Sequence, residues 1–160
     1  MLERVTPDWQ APESIKAFST TRQGGNSLPP FDSMNLGLHC GDDAHAVLTN
    51  RQMLSKTLNL PAKPLWLSQQ HSATCIQADD HHENVMADAC YSDKPNQVCV
   101  VMTADCVPIL MCNNDGTEIA AIHAGWRGLY QGIIANTLKH FKAARNRLHA
   151  WIGPCISQSH

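Results

Sequence analysis

Val107-Pro108-Ile109-Leu110-Met111, Asn113-Asn114-Asp115-Gly116 and Ile119-Ala120-Ala121-Ile122 follow one another along the chain. Two β-rich runs flank a tetrad of turn formers, which predicts a hairpin. Upstream, Gln97-Val98-Cys99-Val100-Val101-Met102 reads as a further strand, and Leu148 to Ile152 as another, stopped by Gly153-Pro154. Between them the apolar period changes to 3.6 residues: Tyr130, Ile134, Leu138 and Phe141 form a stripe that predicts one helix from Arg127 to Arg145.

The preceding half is less regular. Ile15 to Thr21 reads as a strand, and the glycine- and proline-rich stretch Arg22 to Pro30 as a loop. Asn35-Leu36-Gly37-Leu38 suggests a short extended piece. Asp42 or Asp43 then caps a helix to about Leu60, with Val47, Leu54 and Leu58 on one face. Leu65 to Ser68 and Ala73 to Gln77 read as strands on either side of His71, and Asp79 to Glu83 as a polar excursion. No repeat or linker divides the 160 residues, which suit a single domain.

Bulk properties narrow the function classes. A hydrophobic content of 43% with 16% charged residues is that of an ordinary globular chain. The net charge of -2 and scattered Lys and Arg give no basic field for nucleic acid, so a small molecule is the expected partner. No run has the length of a secretion signal's core or a membrane span, and the expected location is the cytoplasm. The seven cysteines form no C-x-x-C pair, which argues against a zinc finger or a disulfide framework.

Within this background a few side chains carry chemistry. Cys106 closes Thr103-Ala104-Asp105-Cys106 after one apolar run, and His123 closes the next. His71 lies at a polar break between two extended segments. Two imidazoles and a thiolate form a ligand set that suits zinc and leaves a fourth position open, as catalytic zinc sites do. His123-Ala124-Gly125-Trp126-Arg127-Gly128 joins a strand to a helix through glycines. Gly125 lets backbone amides approach a ligand there, and Arg127 adds a donor fork for phosphate or carboxylate. Trp126 is expected to pack. Arg22 opens a glycine-rich loop and reads as a substrate anchor, although the loop lacks the lysine and spacing of a Walker sequence. His81, His82 and Glu83 read as a solvated loop, and His39 with Cys40 as structural.

Taken together, Ser19-Thr20-Thr21-Arg22-Gln23-Gly24-Gly25, Asn35-Leu36-Gly37, Ala87-Asp88-Ala89, Thr103-Ala104-Asp105-Cys106-Val107-Pro108 and His123-Ala124-Gly125-Trp126-Arg127-Gly128 resemble the YfiH family. Its members carry the labels laccase-like polyphenol oxidoreductase, purine nucleoside phosphorylase and peptidoglycan editing factor. The resemblance implies an α+β fold of mixed β-sheets covered by helices, related to cysteine hydrolase-like architectures. It also implies zinc on His71, Cys106 and His123, and phosphorolysis of adenosine, inosine or methylthioadenosine, with deamination of adenosine. On that reading Asp105 supports a metal ligand or assists proton transfer, Arg127 and the amides near Gly125 hold phosphate, and Arg22 with Asn35 orients the nucleoside. Where the family pattern has Gln-Val-His-Gly, this chain has Gln69-Gln70-His71-Ser72. Family members continue well past Gly153-Pro154, so the chain resembles the N-terminal two thirds of the family fold, truncated at the C-terminus. Little turnover, and self-association into a homo-oligomer through open sheet edges, are expected on that account.

Three other chemistries compete. Cys106 could instead be a thiolate nucleophile activated by His71 or His123, as in cysteine hydrolases, which would include peptidoglycan-precursor editing. Copper in place of zinc would suit phenol oxidation, although no axial ligand can be placed and one centre falls short of multicopper chemistry. A metal-stabilised binding module without catalysis is the fourth reading.

Overall fold

The computed structural model describes residues 2–78 and 85–157. They fall into two compact units: Met1–Thr6 with Phe18–Lys63, and Pro7–Ala17 with Pro64–His160. The polar excursion and the His81, His82 and Glu83 cluster lie outside the described residues.

In the first unit β1 (Arg4–Val5) pairs antiparallel with β2 (Ser19–Thr20). The strand expected over Ile15 to Thr21 is thus only two residues long; Thr21 follows it, its N–H donating to the Glu3 carbonyl at 3.2 Å and its hydroxyl to the Glu3 carboxylate. α1 (Ala44–Thr57) starts where expected, with the Asp43 side chain accepting from the His45 N–H. Its inner face carries Val47 and Leu54, and also Asn50, which the apolar pattern passes over. Asn50 is fully buried and donates to Ser27 Oγ and to the carbonyls of Ser33 and Asn35, while its Oδ1 accepts from the Asn26 N–H. This side chain supplies the loop with the hydrogen bonds that a regular ladder would otherwise give. Asn35-Leu36-Gly37-Leu38 is accordingly loop and turn, not an extended pair.

The second unit is built on a mixed sheet of order β3-β4-β6-β5-β7. Its strands are β3 (Cys75–Gln77), β4 (Ala89–Ser92), β5 (Val107–Asn113), β6 (Ile119–Ala124) and β7 (Leu148–Ile152). β3 runs parallel to β4 and every other pairing is antiparallel. The expected hairpin is present as β5 and β6, with Gly116 at φ 68 in its turn.

Alternation divides the strand residues between two apolar clusters. Ala89, Tyr91, Ile109, Met111, Ala120 and Ile122 lie in one, beneath Ile133 and Phe141. Cys90 and Ala121 lie in the other, with Leu110, Cys99 and Val101 packed against it. Both faces are therefore covered.

That second cover corrects one expectation. Gln97 to Met102 is not a strand: Cys99 and Val101 lie on the sheet's face, and Met102 exchanges both backbone bonds with the Gln69 amide, N–H to Oε1 at 2.7 Å and Nε2 to carbonyl at 2.7 Å. A β-rich apolar run serves equally well as a lid over a sheet, and composition does not distinguish the two. Leu65 to Ser68 likewise contributes a single bridge, Ser68 to Met86, and no strand. β4 was not expected, because it is only four residues long, all buried, with no polar alternation to mark it.

The single helix expected from Arg127 to Arg145 is two: α2 (Trp126–Gln131) and α3 (Ile133–Leu138). Gly132 takes the left-handed conformation, φ 90, and closes α2 through its N–H to the Leu129 carbonyl. The break rotates the inward face. Ile133 and Thr137 are fully buried, whereas Tyr130, expected in the stripe, is 89% exposed.

A buried carboxylate ties this region to the hairpin. Glu118 accepts from the Tyr91 hydroxyl at 2.6 Å, Asn113 Nδ2 at 3.0 Å, and the amides of Lys142 and Ala143 at 2.7 and 3.0 Å. Burial alone would raise its pKa, but the Tyr91, Lys142, Ala143 and Asn113 hydrogen bonds outweigh burial and leave it below the usual value. Its stabilisation is therefore complete above the unfolded carboxylate pKa and is lost as pH falls through the depressed folded value. Glu118→Ala strands four donors and is expected to cost about 3 kcal/mol, read as a shift in denaturant midpoint at pH 7. The difference between the variant and the parent should shrink as the pH is taken below the unfolded carboxylate value and on through the lower folded one.

Candidate metal centre

The pairing register brings two of the three candidate ligands together. Val107 faces Ala124 and Pro108 faces His123 across the hairpin, so Cys106, one residue before β5, arrives beside the end of β6. Cys106 thus opens a strand and does not close the preceding run. The antiparallel turn carries it to His123. Counting alternate residues, Cys106 and Pro108 share the Leu110 face, and His123 shares the Ala121 face, which is the same side of the sheet. On the other flank Ala89 pairs with Ile122, and the His123 N–H donates to the Asp88 carbonyl at 2.7 Å.

His71 reaches this side from a loop. Its backbone is left-handed, φ 56, an uncommon state for a residue with a Cβ. Three successive amides hold it there: the N–H groups of Gln70, His71 and Ser72 donate to the Asp88 carboxylate at 3.1, 3.0 and 2.6 Å, and the Ser72 hydroxyl does so at 2.7 Å. Asp88 is completely buried. One ligand atom from each of His71, Cys106 and His123 then lies within 4.8 Å of the others. The two imidazole rings meet edge to face, with centroids 4.7 Å apart.

Three features fit this set to a metal ion. His123 Nδ1 sits 2.8 Å from Asp88 Oδ1, which makes Nδ1 the donor and turns the Nε2 lone pair to the centre. His71 Nδ1 is buried and has no hydrogen-bond partner among the described residues. A group of this kind is costly unless something occupies its lone pair. Gly125 completes the pattern: a Cβ there would lie 2.6 Å from His71 Nδ1 and 3.2 Å from Cys106 Sγ, so only glycine leaves the trio its space.

The electrostatics follow from the same contacts. Burial, then the charges of Asp105 and Asp88, push the Cys106 thiol above its ordinary pKa. Such a thiol holds its proton at neutral pH and needs a cation beside it to become a thiolate. At Asp88 burial pulls upward, but bonds from Ser72, His123 and the Ser72 and Gln70 amides prevail and hold the carboxyl below the usual range.

The other expected site residues lie as follows. Asp105 is exposed, and its carbonyl accepts from Ile156; the carboxylate in hydrogen-bond contact with the histidines is that of Asp88. Sequence reasoning gave Asp88 no role, although an acid between Ala87 and Ala89 in an otherwise apolar run was a signal. Arg127 places its guanidinium 4.5 Å over the Trp126 ring, and Trp126 is 66% exposed rather than packed. Arg22 and Asn35 belong to the first unit. Arg22 Nε donates to the Asp32 carbonyl at 2.7 Å, and Asn35 Nδ2 donates to Asp42 at 3.0 Å, so both brace their own loops. His39 and Cys40 lie exposed in a turn.

Comparison with known proteins now bears on this geometry. Residues 16–160 match the family described as multi-copper polyphenol oxidoreductase laccase. A Haemophilus influenzae protein named purine nucleoside phosphorylase is 49% identical over 155 residues, 97% of this chain and 64% of the relative. Purine nucleoside phosphorylase YfiH of Escherichia coli K12 is 47% identical over 157 residues, 98% of this chain and 65% of the relative. The chain thus spans just under two thirds of the length of these relatives. Among solved structures, Neisseria meningitidis protein NMB0706 superposes with a TM-score of 0.92 at 41% identity, over 97% of this chain and 64% of that one. Bacillus licheniformis hypothetical protein YfiH gives 0.77 at 30% identity, over 86% and 57%. With an α+β fold shared with these structures and a family match over nearly its whole length, the chain belongs to the multi-copper polyphenol oxidoreductase laccase family, the YfiH proteins.

Proposed function

We propose that this chain carries the metal centre of a zinc-dependent purine nucleoside enzyme. The reaction assigned is phosphorolysis of adenosine, inosine or methylthioadenosine, with deamination of adenosine at the same site. One observation carries the metal reading: His71 Nδ1, buried and without a hydrogen-bond partner among the described residues, converges with His123 and Cys106 beside Gly125, where a Cβ would fill the space. The purine substrates rest on the names of the relatives.

Zinc, when bound, supplies a Lewis acid that polarises a substrate oxygen or lowers the pKa of water to about 7. The remaining roles belong to the protein. His71 and His123 present neutral nitrogens, Cys106 gives up its thiol proton on loading, and Asp88 retains the proton on His123 Nδ1 by accepting it in a hydrogen bond. Arg127, beside the centre in sequence, is assigned to the phosphate. Copper on the same ligands is the second reading, favoured by the family description and by the softness of a thiolate with two imidazoles.

Elemental analysis coupled to alkylation tests the proposal. Purified protein is expected to hold about one zinc per chain, and peptide mapping should show Cys106 protected from iodoacetamide until a chelator strips the metal. Copper at that stoichiometry would install the second reading. A metal-free protein with Cys106 promptly alkylated would overturn both, in favour of a thiolate nucleophile. Turnover is read as phosphate-dependent release of the base from inosine.

A further inference from the structure

The Asp88 carboxylate contacts the two histidines of the trio in different ways. Oδ1 accepts from His123 Nδ1 and from the His71 backbone N–H; Oδ2 accepts from the Gln70 and Ser72 amides and from Ser72 Oγ. An ionised carboxylate is purely an acceptor with about four lone-pair sites, so the three donors on Oδ2 share two of them. The first bond decides which ring nitrogen of His123 keeps a hydrogen. The backbone bonds decide whether the His71 loop can stay at its left-handed turn.

We infer that Asp88 is the positioning residue of the centre, fixing the ring tautomer of His123 and the backbone of His71 through one carboxylate. The ligand role rests on the metal reading given above, while the tautomer does not. An amide at position 88 reveals the mechanism. Its oxygen would turn to the side of Gln70 and Ser72, where three donors wait, and its NH2 would then face His123 Nδ1 and, donor to donor, the His71 N–H, whose bond is lost. A donor facing Nδ1 makes that nitrogen the acceptor and moves the ring hydrogen to Nε2, the nitrogen needed for the metal. Asp88→Asn therefore keeps size and shape while reversing the imidazole.

The experiment uses the protein stripped of metal and labelled with 15N, at pH 8. Long-range 1H–15N spectra read directly which nitrogen of His123 is protonated. The parent is expected to carry hydrogen on Nδ1, and Asp88→Asn on Nε2. Zinc affinity, measured by competition with a chromophoric chelator, should fall by about 10- to 100-fold in the variant. Hydrogen on Nε2 in the parent overturns the inference, even if the variant does not fold. So does a variant with parental tautomer and parental affinity. A parent that binds no zinc sinks the metal reading, and the tautomer measurement still decides the role of Asp88 on His123.

Discussion

Replacing His123 by alanine is expected to take zinc content from about one ion per chain to background, as read by equilibrium dialysis and elemental analysis. His123 is 4% exposed and its imidazole joins Asp88 to the centre, so its removal acts twice. The ligand set drops to one nitrogen and one sulfur, too few to hold zinc against water. Asp88 also loses one of its donors in a buried place, which should lower folding stability by about 2 kcal/mol. His45→Ala, on the exposed side of α1, is the control and should change neither reading. Parental zinc content in the His123 variant would remove the trio from consideration as a metal centre.

Gly125→Ala is expected to weaken zinc binding by about 100-fold while leaving the fold intact. Gly125 has φ -64 and ψ 158, an ordinary extended conformation open to any residue, so alanine meets no backbone strain. The effect is one of space. The new methyl would stand 2.6 Å from His71 Nδ1 and 3.2 Å from Cys106 Sγ, and the ring must leave its position to admit it. Gly132→Ala reverses the reasoning. Beyond its chain neighbours no atom of the described residues lies within 4 Å of a Cβ there, but φ is 90, so that variant should lose stability and keep its zinc affinity. Equal zinc affinity in the Gly125 variant and the parent would show that the trio does not share one ion.

The hairpin was legible because its turn residues, Asn113 to Gly116, lie between runs whose apolar content leaves no alternative. Its register then brought Cys106 and His123 together, so two of the three candidate ligands followed from local pattern alone. Other parts were hidden for physical reasons. Gln97 to Met102 has the composition of a strand, yet its apolar side chains cover the sheet instead of extending it. Gly132 lies within a run of helical period, and nothing in the period says that a glycine will take the left-handed state there. Asp88 escaped because a carboxylate's role depends on which donors surround it. Those donors come from Gln70 to Ser72 and from His123, far apart along the chain. The same holds for Asn50 and Glu118, buried polar side chains with at least half of their partners among backbone groups.

The short turn between β5 and β6 also bears on the order of assembly. A thiol and an imidazole placed on adjoining ends of one hairpin meet through contacts of low sequence separation, which form early when a chain folds. The remaining imidazole must wait for a longer closure, the docking of its loop onto the buried acid. The hairpin pair is therefore expected to stand side by side before the third group arrives, and the trio is complete only when that loop shuts.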